Sequence, residues 1–146
     1  MSQIYDPIRK KWVLATPEEK VRQRWILYMT QKMGYPSAQM AIEKKLSSFL
    51  KEESLGLELN RRIDLLVYHN KDGDSKPLLI IECKKTSLSE KALYQLHGYN
   101  HFIRAPFYAI ANDREILLGF LDAATNQVST LSYLPKYGDL TQTLVC

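Results

Sequence analysis

Two acidic residues and a lysine interrupt two neighbouring apolar segments of the chain. Asp64 lies within the first segment, 63–68, while Glu82 and Lys84 lie at the end of the second, 78–83. Both segments are rich in Ile, Leu and Val and are separated by an Asp-Gly-Asp turn signal, which predicts a β-hairpin. Pairing the two strands through this turn can bring Asp64 close to Glu82.

Side chains alternate between the two faces of a sheet along a strand, so the sequence predicts which face each charged residue occupies. Glu82 and Lys84 should share one face of the sheet, whereas Cys83 should point to the opposite packing layer. Carboxylates together with water and phosphate oxygens suit a hard divalent ion such as Mg²⁺. We therefore expect Asp64 and Glu82 to bind an ion that polarises a phosphodiester, with Lys84 orienting or deprotonating the attacking water.

Ordinary structural roles remain open for the same residues. Glu82 and Lys84 could form an exposed pair on an edge strand, and Asp64 could cap a turn. No ligand spacing connects the histidines, which are predicted to be structural or solvent-facing: His69, His97 and His101.

A first helix is predicted from about Thr16 to Met33. Thr16 suits the N-cap position, a proline follows it, and Glu19 is placed to complete a capping box, while Gly34 ends the helix. Because Glu19 is assigned to the cap, Glu18 is the glutamate expected to point towards the middle of the protein. The predicted core stripe consists of Val21, Trp25, Tyr28 and Met29.

The remaining segments predict a sheet with helices on its faces, an α/β or α+β fold. A second helix should begin at a Ser87–Glu90 capping box and run to about Arg104, with Gln95 and Tyr99 on one face. Further strands are expected at 38–46, 107–111, 115–121 and 127–134, a loop or short helix at 47–60, and no regular structure at 135–146.

Composition indicates a single domain, 1–146, in a reducing compartment. With 146 residues, of which 45% are hydrophobic, the chain suits one core, taken as about 16–121, with a 1–15 N-terminal arm and a 122–146 edge strand and tail. Residues 9–11 are expected to be a solvated basic face. The net charge of +4 is compatible with an acidic partner but does not identify one. We expect a cytoplasmic protein without a secretory signal, membrane span, disulfide framework or zinc site.

The motifs taken together resemble the PD-(D/E)xK nuclease superfamily. The motif occurs as Ile63-Asp64, seventeen intervening residues and Glu82-Cys83-Lys84, with Ile in place of the usual Pro. Over roughly residues 5–120 the chain is similar to the N-terminal nuclease domain of type I restriction enzyme R subunits, and specifically to stand-alone forms of it. The similarity is carried by segments 16–23, 34–36, 62–68 and 77–84 and by Gln95-x-x-x-Tyr99-Asn100.

This resemblance implies a restriction-endonuclease-like core, with a mixed central sheet flanked by helices, that hydrolyses DNA. Asp64 and Glu82 would bind Mg²⁺ or Mn²⁺, Lys84 would be catalytic, and Glu18 would be a further acid at the metal. The Gln95–Tyr99 pair would contact DNA or support catalysis, and Arg62, just before Ile-Asp, belongs to the same supporting set. Both helices should then lie on the Glu82/Lys84 face or at its edge.

The implied partners are DNA, a second copy of the chain, and a helicase or other restriction-complex component. No membrane partner is expected. The sequence contains no Gly-x-x-x-x-Gly-Lys-Ser/Thr loop, so we expect no ATP-driven motor within it. The competing hypothesis is a non-catalytic module of the same fold that binds nucleic acid or a partner protein. An enzyme of small sugar phosphates is a weaker third, since no phosphate-binding glycine loop is present.

Overall fold

The computed structural model of the protein describes residues 2–49 and 61–144. The strands are β1 (Gln3–Asp6), β2 (Lys11–Leu14), β3 (Met40–Lys45), β4 (Arg62–Lys71), β5 (Asp74–Cys83), β6 (Phe107–Ala111), β7 (Ile116–Asp122) and β8 (Gln127–Leu131). The helices are α1 (Pro17–Lys32), α2 (Glu90–Ile103) and α3 (Tyr137–Thr143), with short 3₁₀ turns at Ser37–Gln39 and Leu46–Phe49. The prediction for 50–60 lies outside the described residues.

Strands β3 to β8 form one mixed sheet in chain order. All neighbouring strands are antiparallel except β5 and β6, which run parallel because α2 crosses between them. The hairpin of β4 and β5 closes at Asp72-Gly73, where both residues have positive φ, as expected for a two-residue type I′ turn. The predicted mixed sheet with flanking helices is thus confirmed, and both hairpin strands are longer than their apolar segments.

Helix α1 begins as predicted and buries most of the predicted stripe, since Val21 and Met29 are buried and Trp25 packs against the core. The Thr16 side chain accepts a hydrogen bond from the Glu19 N–H, so the N-cap is confirmed. The reciprocal half of the capping box is absent, since the Thr16 N–H donates to Leu14 O. Ile26 is fully buried, whereas Tyr28, predicted to be in the core, is 44% exposed.

Helix α2 is capped two residues later than predicted. The side chain of Ser89, not Ser87, accepts a hydrogen bond from the Ala92 N–H. The helix ends at Arg104, whose left-handed conformation (φ 61°) reverses the chain before β6. Its buried stripe consists of Leu93, Leu96, Asn100 and Ile103.

The two long helices cover opposite faces of the sheet. Helix α1 packs its apolar side on the layer that contains Leu79, Ile81 and Cys83. Helix α2 packs on the layer that contains Ile80 and Ile110. The orientation predicted for Cys83 is confirmed, but the expectation that both helices lie on the Glu82/Lys84 face or at its edge is wrong for α1, which covers the opposite face.

Both ends of the chain add structure that the sequence did not predict. Strands β1 and β2 form a separate two-stranded sheet. At the other end α3 occupies part of the 135–146 segment, where no regular structure was expected, and buries Leu140 in the α1 layer. The Tyr35 hydroxyl donates to Pro135 O at 2.7 Å and fastens this segment to the core. None of the helices in the described ranges has the length and apolar character needed to cross a bilayer.

Candidate active site

The acids of the central hairpin lie side by side. The β4–β5 register pairs Leu65 with Ile81, and one more step along both strands places Asp64 opposite Glu82. The Asp64 backbone N–H lies 3.4 Å from Glu82 Oε1, and Asp64 Oδ2 accepts the Cys83 N–H at 2.7 Å. Asp64 therefore does not cap a turn. Its side chain lies between two strands and accepts the Cys83 N–H in place of a backbone carbonyl.

Burial raises the pKa values of both carboxyl groups of this acidic pair. Glu82 is only 8% exposed, and β5 lies between β4 and β6, so Glu82 is not part of an exposed pair on an edge strand. Desolvation, followed by repulsion from Asp64, raises the pKa of Glu82 to about 7. Desolvation also raises the pKa of Asp64, although the Cys83 N–H and the Arg22 charge oppose the shift. Arg22 Nη1 lies 4.0 Å from Asp64 Oδ1 and Arg61 Nη2 lies 3.5 Å from Glu82 Oε2, yet both pKa values stay raised, so a bound cation would stabilise the two neighbouring carboxylates further.

A buried ion network from α1 reaches Asp64. The Arg22 guanidinium donates to both oxygens of Glu19 at 2.9 Å through Nε and Nη2, and its Nη1 donates to Asp64 O at 3.1 Å. Glu19 also accepts from Arg9 Nη2 at 2.6 Å and from Gln23 Nε2 at 3.1 Å. Burial raises the pKa of Glu19, but these hydrogen bonds outweigh it and lower the pKa overall.

The two glutamates at the start of α1 have the opposite orientations to those predicted. Glu19 is 5% exposed and belongs to the network that reaches Asp64. The Glu18 side chain is 45% exposed, and its Oε1 lies 3.8 Å from Lys85 Nζ. Residues 9–11 are likewise not a uniformly solvated basic face, because Arg9 pairs with Glu19 and Asp6. The role of Glu18 as a metal ligand stays a prediction.

Lys84 and the Gln-Tyr pair line one open cavity. This cavity of about 470 Å³ is bounded by Arg61, Lys84, Gln95, Gly98, Tyr99 and Phe102. Arg61 connects it to the acids, since its Nη2 lies 3.5 Å from Glu82 Oε2. Helix α2 therefore presents Gln95 and Tyr99 on the side of the sheet to which Lys84 points. Arg62, by contrast, is exposed at the start of β4 beside Lys45.

Two residues near the acids had no predicted role. Glu43, with φ of 52°, lies on β3 in the same row as Asp64, because the register pairs Ile42 with Leu65 and Lys44 with Ile63. The Glu43 carboxylate lies 3.5 Å from Arg22 Nη2. The only sequence signal at Glu43 is that the alternation of apolar and polar residues expected for a strand fails after it.

Arg22 was the other residue without a predicted role, and a charged side chain one turn from Glu19 was its signal. In the part of the chain that the structure describes, no group of three or more His, Cys, Asp or Glu residues is arranged to hold a metal ion.

The fold and site define a mixed α/β protein with a buried acidic pair beside a cavity that contains a lysine and an arginine. The family described as type I restriction enzyme R protein N terminus (HSDR_N) matches residues 17–135. The chain belongs to this family. No curated protein and no solved structure matched it.

Proposed function

We propose that the protein is a Mg²⁺- or Mn²⁺-dependent deoxyribonuclease of the PD-(D/E)xK type. The observation that carries the proposal is that the Asp64 and Glu82 side chains lie together, with Glu82 Oε1 3.4 Å from the Asp64 backbone nitrogen, next to the cavity that Lys84 lines. Membership of the restriction R-protein family supports a role in DNA restriction and makes DNA the favoured partner.

The donor set fits a hard divalent ion. Asp64 and Glu82 supply adjacent carboxylate oxygens, and Mg²⁺ is commonly held by one or two carboxylates, with waters and substrate phosphates completing the shell. Their raised pKa values mean that both negative charges are unfavourable without a cation. An ion bound there would polarise the phosphodiester and favour ionisation of a water molecule.

The protein groups around the acids have separable tasks. The Cys83 N–H fixes one Asp64 oxygen, and Arg22 fixes the Asp64 backbone. Lys84 extends into the cavity, where its ammonium can orient the attacking water and offset charge that develops on the phosphate. Gln95 and Tyr99 line the same cavity and can contact the DNA strand that enters it.

The test is cleavage of supercoiled plasmid and of single-stranded DNA by the parent, Lys84→Met and Lys76→Met. Lys76 lies exposed on the same strand at the far end of the hairpin and is the matched control. We expect metal-dependent nicking by the parent and by Lys76→Met. Loss of general acid–base assistance should slow Lys84→Met roughly a hundredfold or more, while its Mn²⁺ binding is retained.

The competing hypothesis gives a different result. If the parent shows no metal-dependent cleavage while Lys84→Met and Asp64→Asn bind DNA as tightly as the parent, the protein is a non-catalytic module of the same fold. The nuclease proposal also includes a cytoplasmic location, and a second copy or a restriction-complex component as protein partner. Sedimentation with and without DNA tests whether two copies assemble.

A further inference from the structure

Arg61 is held at the cavity by one neighbour of its side chain and one of its backbone, which lie on different elements. Its Cζ lies 4.0 Å from the centroid of the Tyr99 ring, in a cation–π contact. Its backbone is fixed as well, because Arg61 O accepts the N–H of the buried Leu46 at 2.8 Å. The guanidinium therefore lies over the Tyr99 ring at the cavity wall.

The contact with Glu82 does not use the hydrogen-bonding capacity of Arg61. The distance of 3.5 Å from Nη2 to Glu82 Oε2 exceeds the 2.7–3.2 Å of a normal N–H···O bond. Arg61 Nε is buried and has no hydrogen-bond partner among the described residues. The Arg61 side chain is 28% exposed, so the guanidinium remains reachable from the cavity.

A guanidinium held over an aromatic ring is suited to oxyanions such as phosphates and carboxylates. Its donors form a rigid fork that matches two phosphate oxygens, and little side-chain entropy is lost when a preorganised fork binds. Lys84 lines the same cavity and supplies a second positive charge. A DNA backbone that passes Lys84 would bring its next phosphate groups towards Arg61.

We propose that Arg61, supported by the Tyr99 ring, binds a backbone phosphate of the DNA strand in this cavity without requiring a metal ion. The inference rests on the proposed nuclease function only for the identity of the ligand. The proposal assigns Arg61 to substrate binding. The alternative is that Arg61 serves only as a counter-ion for Glu82.

The experiment measures DNA affinity in EDTA by fluorescence anisotropy, for labelled duplex and single-stranded DNA, between about 50 and 200 mM NaCl. Arg61→Gln should weaken duplex binding roughly tenfold and reduce the slope of log K against log salt by about 0.9, as for one lost phosphate contact. Lys32→Gln removes the same charge from an exposed site on α1 and should leave the slope unchanged. Tyr99→Leu should weaken binding more than Tyr99→Phe, which keeps the ring.

Arg61→Lys separates the fork from the charge. It should retain most of the salt slope but lose affinity, because an ammonium cannot bind two phosphate oxygens in a plane. If Arg61→Gln does not fold, as judged by circular dichroism, Arg61→Lys decides, and affinity equal to that of the parent overturns the proposal. A parent-like slope for a folded Arg61→Gln also overturns it. Inorganic phosphate at millimolar concentration is a further competitor. If it shifts the Arg61 side-chain NMR signals but does not displace the protein from DNA, Arg61 binds free phosphate and not the DNA backbone, and the proposal is overturned.

The two proposals fail differently. Cleavage by the parent together with unchanged binding by Arg61→Gln refutes the role of Arg61 and leaves the nuclease proposal standing. If the parent does not cleave DNA but Arg61→Gln shows the expected reduction in the slope of log K against log salt, catalysis is refuted and the phosphate site stands.

Discussion

Replacing Glu82 with Gln should stabilise the protein at alkaline pH and leave its stability unchanged in acid. Burial and the neighbouring Asp64 raise the pKa of Glu82 from 4.5 to about 7. In the unfolded chain this carboxyl ionises near its ordinary value, so between the two values the folded state binds more protons than the unfolded state. Stability contributed by protonated Glu82 is therefore fully present below about pH 4.5 and is lost as pH rises through about 7.

The size of the effect follows from the shift. Each pKa unit corresponds to about 1.4 kcal/mol, so a shift from 4.5 to about 7 costs about 3 kcal/mol of unfolding free energy by pH 8. Glutamine keeps the shape and the acceptor oxygen of Glu82 but carries no charge. Arg61, 3.5 Å away, loses a partner in the variant, which reduces the gain. We expect Glu82→Gln to exceed the parent by about 2–3 kcal/mol at pH 8.

Urea unfolding followed by circular dichroism, in EDTA and at half-unit steps of pH, measures this difference. The gap between the two proteins should be absent near pH 4.5, open through pH 7 and remain constant above pH 8. Glu115→Gln changes an exposed acid at the end of the β6–β7 turn and should track the parent throughout. Parallel curves for Glu82→Gln and the parent across the whole window would refute the idea of a destabilised carboxylate at Glu82.

Two further substitutions test the ion network beside the acids and the packing of the sheet. Arg22→Met should destabilise the protein by about 3 kcal/mol in urea unfolding, because it leaves Glu19 buried with fewer cationic partners; a loss below about 1 kcal/mol would contradict this. Gly119→Ala should cost about 1–3 kcal/mol, since a Cβ there would lie 2.7 Å from the Tyr108 ring. The double variant Gly119→Ala, Tyr108→Leu should recover part of that loss, and simple additivity of the two effects would refute the clash.

Local sequence signals predicted the elements whose structure depends mainly on their own residues. The range 107–111 was predicted as a strand and is β6, because five consecutive apolar residues there are buried on both faces. The Asp-Gly turn and the Thr16 cap were found for the same reason. Helix α3 was missed because it is short and its formation depends on burying Leu140 against the α1 layer, a contact that no local pattern encodes.

The same distinction between local sequence signals and tertiary contacts applies to the candidate site. Alternation and turn chemistry on one hairpin were enough to place Asp64 beside Glu82 and to turn Cys83 away from the Glu82/Lys84 face. Which glutamate of α1 enters the protein was not predictable, because the capping signal at Glu19 is also satisfied when its side chain pairs with Arg22. Only tertiary packing decides between these partners, and the choice reverses the predicted orientations of Glu18 and Glu19.

Asp64 has a structural task as well as its proposed chemical one. Its Oδ2 accepts the Cys83 N–H at 2.7 Å, where continued strand pairing would have offered a backbone carbonyl. Removing the carboxylate with Asp64→Ala would leave that buried N–H without its acceptor and cost about 1–3 kcal/mol irrespective of any metal. Asp64→Asn keeps an oxygen for the Cys83 N–H while removing the charge. A loss of function in Asp64→Asn therefore identifies the charge as the requirement, whereas the same loss in Asp64→Ala does not.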